Sequence, residues 1–109
     1  MVTKENMVTE ESKQLRDYEL VVIINPEVAD EGVDSIVDNI SRLITQKSGT
    51  VDELDRWGKR KLAYPIKHFL EGNYVLVRCK MNPASGKGLE ASLRISEEVL
   101  RHLLVRLDS

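Results

Sequence analysis

The run Leu20-Val21-Val22-Ile23-Ile24 constrains this chain more than any other stretch. It is short, mostly β-branched, and followed by the turn signal Asn25-Pro26, so it reads as a β-strand. Alternate residues of a strand point to opposite faces, and here both faces are apolar. Such a strand belongs in the middle of a sheet, with each face covered by the chain itself or by a partner. The rest of the chain must supply neighbours on both sides and at least one covering layer.

The next segment supplies the cover. Val33, Ile36, Val37, Ile40, Leu43 and Ile44 recur at steps of three and four and form one apolar stripe of a helix. Asp30 is placed to cap its start, and Gly49 to stop it. Residues 50–66 read as a long strand interrupted at Trp57-Gly58, and Pro65 makes it an edge strand. His68 to Asn73, with Gly72, reads as a hairpin loop. Tyr74 to Met81 is a further strand, with Val75, Val77, Cys79 and Met81 on one face and Tyr74, Leu76, Arg78 and Lys80 on the other. Residues 85–95 form a weaker helix marked by Leu89, Leu93 and Ile95, since Gly86 and Gly88 each cost roughly 1 kcal/mol relative to alanine. Val99 to Leu107 is the last strand.

The order strand-helix-strand-strand-helix-strand has one compact solution: a ferredoxin-like α+β sandwich, with two helices on one face of an antiparallel four-stranded sheet. Segments one and three take the middle. The other sheet face is left open. Val21, Ile23, Tyr74, Leu76, Leu103 and Val105 point to it and make an apolar patch that no internal element covers. A patch of this kind calls for a protein partner.

A length of 109 residues fits one domain, read here as residues 15–109 after a polar tail, residues 1–14, expected to be disordered. No apolar run approaches the roughly 20 residues that span a bilayer, and none near the start resembles a secretory signal. A single cysteine, Cys79, allows no internal disulfide and fits a reducing compartment. The expectation is a cytosolic protein.

The net charge of -2 argues against a generic nucleic-acid binder, but the charge is segregated. Residues 27–46 carry Glu27, Asp30, Glu31, Asp34 and Asp38 against Arg42, a net of -4. Residues 56–80 carry Arg56, Lys59, Arg60, Lys61, Lys67, Arg78 and Lys80 against Glu71, a net of +6. Because fields are local, a positive pole can hold a polyanion on a protein of any net charge. Lys59, Arg60, Lys61 and Lys67 could hold phosphates or simply guard an edge strand against aggregation.

Catalysis finds little support. Cys79 falls mid-strand on the core face, and no nucleophile has an identifiable base. His68 and His102 lack metal-ligand spacing with each other or with Cys79, so neither zinc nor another cofactor is expected. The SGKG stretch at residues 85–88 lacks the glycine frame of a phosphate loop. The open face carries too few aromatics for base stacking of the RNA-recognition-motif kind.

The string WGKRKLAYPI, residues 57–66, resembles the signature of the bacterial small-subunit ribosomal protein six family. RDYELVVIINP (16–26), EGNYVLVRCKM (71–81) and LRHLLVRLD (100–108) resemble its first, third and last strands. The resemblance implies a ferredoxin-like fold and a structural rather than enzymatic role. It further implies that the chain pairs with ribosomal protein eighteen of the small subunit and binds the central domain of the small-subunit rRNA, in the platform. Carried over by position, it puts Arg16, Arg60, Lys61, Arg94 and Arg101 toward RNA; Lys59 and Lys67 join them from the basic segment, and Val21, Ile23, Tyr74 and Leu76 of the open face are the expected partner-facing set. Trp57 either packs at the strand kink or meets the partner. Two other readings stay open from the residues alone: a homodimeric interaction module using the open face, and a small enzyme relying on Cys79.

Overall fold

The computed structural model describes residues 15–107; the expected tail, residues 1–14, lies outside the described residues. The elements are β1 (Arg16–Ile24), α1 (Asp30–Gln46), β2 (Thr50–Ile66), β3 (Phe69–Met81), α2 (Pro83–Ile95) and β4 (Val99–Arg106). The sheet order is β2-β3-β1-β4 with every pairing antiparallel, which is the expected ferredoxin-like arrangement. β1 is central, as its two apolar faces require. It also begins earlier than Leu20, because Arg16 to Glu19 continue the ladder opposite Met81 to Arg78.

Between the sheet and the helices lies the core. Leu20, Val22 and Ile24 of β1, with Val75, Val77, Cys79 and Met81 of β3, meet Val33, Val37, Ile40 and Ile44 of α1 and Leu89 and Leu93 of α2. Burial and the nearby carboxylates of Asp52 and Asp17 push the Cys79 thiol up to about 11, so it stays protonated and inert at neutral pH.

Several local features differ from the sequence expectation. Ala29, not Asp30, occupies the N-cap position of α1, which has no side-chain cap, and Asp30 sits in the first turn where its charge suits the helix dipole. After α1 it is Ser48 that takes the left-handed conformation, at φ 68. Gly49 is there for space: a Cβ would lie 2.6 Å from the Lys80 carbonyl oxygen and 2.8 Å from that of Ile44. The β2–β3 turn is tighter than a loop over residues 68–73. Lys67 and His68, at φ 48 and 63, form a two-residue turn, and β3 resumes at Phe69. Gly72 lies within the strand, where a Cβ would come 2.4 Å from the Ile23 Cγ2.

α2 starts at Pro83 rather than residue 85, because Asn82 caps it: its side-chain oxygen accepts from the Ser85 N–H at 2.8 Å. Gly86 lets the helix settle near Leu104 and Met81, whereas Ile95 is exposed rather than part of the buried stripe. Asn82→Ala should cost about 1 kcal/mol, measured as a shift in the urea midpoint at constant slope.

Two devices shape the functional side. Gly58, at φ 79, carries a bulge that lets Trp57 and its neighbours shift register against β3. Past Ile24, which pairs with Asn73, β2 and β3 run on alone as a two-stranded arm ending at Lys67-His68. The molecule is accordingly long, 55 × 27 × 24 Å.

Candidate protein and RNA interface

The face of the sheet away from the helices is set by the strand registers. Val21 lies between Leu76 and Leu103, and Ile23 between Tyr74 and Arg101. Leu103 and Val105 are exposed, while Val21 and Tyr74 are half-buried. Ile23 and Leu76 share this face yet are only 9% and 8% exposed, so the patch a partner meets is made mainly by the residues around them.

Part of that cover comes from the arm. Its residues Leu62, Ala63, Tyr64 and Ile66 overhang the sheet and, with Val21, Ile23, Tyr74 and Leu103, enclose a cleft of about 220 Å³. Arg101 on β4 donates a hydrogen bond from Nη1 to the Tyr64 hydroxyl on β2, joining the sheet's two edge strands over its open side. Strand alternation alone does not show that Leu62 and Tyr64 belong to this face's cover, because it does not say which neighbour an arm will bend over.

Trp57 belongs to the same face. Its ring stacks on Tyr74 with centroids 6.1 Å apart and planes 12° apart, and the Arg60 guanidinium lies 5.4 Å from the Trp57 centroid. The indole N–H donates to the Asp55 carboxylate at 3.3 Å. The tryptophan therefore both packs and remains 40% exposed.

Toward the start of β1 the face turns charged. Arg78 bridges Glu19 at 3.1 Å and Glu53 at 3.5 Å, and Lys80 bridges Asp52 at 2.9 Å and Asp17 at 3.5 Å. The hydrogen bond that Lys80 donates to Asp52, followed by the charges of Asp52 and Asp17, raises the Lys80 pKa. On the helix side, Arg56 pairs with Asp34 and, at 3.4 Å, with Asp30 of α1. Three cations of the basic segment are thus neutralised within the chain, and the positive pole contracts to the arm.

The seven basic residues singled out from the sequence do not form one patch. Arg60 and Arg101 share the open face. Lys59 and Lys61 flank Arg60 and point to the other side of β2 by strand alternation. Lys67 is at the arm tip, and Arg94 is exposed in the last turn of α2. Arg16 stands opposite Met81 at the far end of β1. Among the described residues, no ion pair holds Lys59, Lys61 or Lys67, no group of three His, Cys, Asp or Glu side chains could hold a metal ion, and no helix is long and apolar enough to cross a membrane.

This architecture has close relatives. Residues 17–106 match the family described as Ribosomal protein S6. Over 96 residues the chain is 45% identical to the small ribosomal subunit protein bS6 of Dehalococcoides mccartyi strain CBDB1, covering 88% of each. Over 94 residues it is 39% identical to that of Desulforudis audaxviator, covering 86% of this chain and all of the relative. The crystal structure of 30S ribosomal protein S6 from Thermotoga maritima superposes with a TM-score of 0.80 at 32% identity, covering 85% of this chain and 88% of that one. The chain belongs to the ribosomal protein S6 family, whose members are structural components of the small ribosomal subunit and not enzymes.

Proposed function

We propose that the chain binds the central domain of small-subunit rRNA, in the platform, as a pair with ribosomal protein eighteen, inside the ribosome in the cytoplasm. The open sheet face carries this reading: it presents Trp57, Leu103 and Val105 to solvent, each still 40% or more exposed among the described residues. Burying those side chains against a partner is worth roughly 25 cal/mol for each Å² removed from water. Lys59, Lys61 and Lys67, which no ion pair among the described residues holds, are gathered on the arm and can neutralise phosphates there. Arg60 and Arg101 stand where the two surfaces meet.

The test is binding to a central-domain rRNA fragment across a salt series, with and without ribosomal protein eighteen. Expected is weak binding alone and tighter, salt-sensitive binding of the pair. Lys59→Ala with Lys61→Ala should reduce the slope of log affinity against log salt by about 1 to 2. A chain that self-associates and binds RNA in neither condition would sink the proposal.

A further inference from the structure

The open face has two unlike halves. Near the arm it is a cleft of about 220 Å³, below the roughly 300–1,000 Å³ of small-molecule sites, so it suits a side chain rather than a cofactor. The Arg101–Tyr64 hydrogen bond closes it like a strap. At the other end, the carboxylates of Asp17, Glu19, Asp52, Glu53 and Asp55 outnumber Arg78, Lys80 and the neighbouring Arg16. Asp17 and Glu53 are each half exposed. This end repels a phosphate backbone and attracts basic side chains.

We infer that the open face takes a polypeptide segment lying along β1, with an apolar side chain seated under the Tyr64–Arg101 strap and basic side chains laid over the carboxylates, while RNA is kept off this face. The inference rests on the partner reading above and adds the polarity and chemistry of the docked segment. Glu19 and Ile23 mark the two halves and lie about 13 Å apart along the strand. The apolar anchor and the basic side chains are therefore separated by about four residues if the segment is extended, or about nine if it is helical. Arg101 and Tyr64 act as positioning residues that close one side of the cleft over the seated side chain.

Binding of ribosomal protein eighteen to the full chain, followed by calorimetry at low and high salt, tests this. Leu103→Asp, which buries a charge in the apolar half, should weaken binding about a hundredfold at both salts. The double variant Glu53→Gln, Asp55→Asn should weaken it about tenfold at low salt and flatten its salt dependence. Tyr64→Phe, which removes only the strap hydroxyl, should weaken it roughly fivefold with the salt dependence unchanged. Thermal melts of each variant confirm folding. If Leu103→Asp abolishes binding while the double variant binds like the wild type, the inference fails and the partner reading stands. If no variant weakens binding, both fail. Stronger RNA binding by the double variant, with protein binding unchanged, would make RNA the occupant and overturn the inference. So would a micromolar homodimer dissolved by Leu103→Asp.

Discussion

Leu20→Ala is expected to lower the free energy of unfolding by about 3 kcal/mol. Leu20 is fully buried, lies on the central strand, and pairs with Val77 on one side and Leu104 on the other. Its side chain meets the helix layer, so truncation removes apolar contact and leaves a cavity between sheet and helices. Strands held on both sides cannot close such a gap by sliding. Small domains are stable by only about 5–15 kcal/mol, so this loss is a large share of the total and should lower the melting temperature by roughly 12–24 °C. Urea titration with an unchanged slope is the measurement. A loss below about 1 kcal/mol would mean that the layer is less tightly packed than its burial implies.

A second large effect should come from Gly49→Ala, at about 2 to 3 kcal/mol. The obstacles to a Cβ there are the carbonyl oxygens of Lys80 and Ile44, which belong to β3 and α1 and cannot rotate away. Moving them means shifting the helix end against the sheet. Gly88→Ala is the matched control. Gly88 is exposed in α2 with open space where a Cβ would go, so the same change should stabilise by roughly 0.5–1 kcal/mol. Opposite signs in the two melts are the expected result. A destabilised Gly88→Ala would show that α2 depends on that glycine for something other than space.

The sheet order was legible because the relevant signal is local. LVVII is apolar on both faces and TVDELDRWGKRKLAYPI carries a proline, so one is central and the other is at an edge before any contact is known. Turn chemistry was less legible. Glycine draws the eye to Gly72, but the turn is made by Lys67 and His68, which hold positive φ without the usual Asn-Gly signal. The interface was the least legible part. Arg78 counts toward the positive charge of residues 56–80 until β1 brings Glu19, 59 positions away, against it. Ile23 and Leu76 were assigned to the right face, yet alternation along a strand says nothing of the cover that Tyr64 and its neighbours add from another strand.

The position of β1 in the sheet also sets a timetable. It is made early, but its two neighbours, β3 and β4, come later, and β4 ends at Arg106. At typical rates of synthesis, roughly 4–16 s pass between Ile24 and Arg106. Until then the most apolar strand of the chain has no complete set of partners. The domain cannot fold from its beginning as it emerges; its sheet closes only when the last strand arrives. Nascent chains are therefore most vulnerable to aggregation in that interval, and a pause in translation before residue 99 would prolong it.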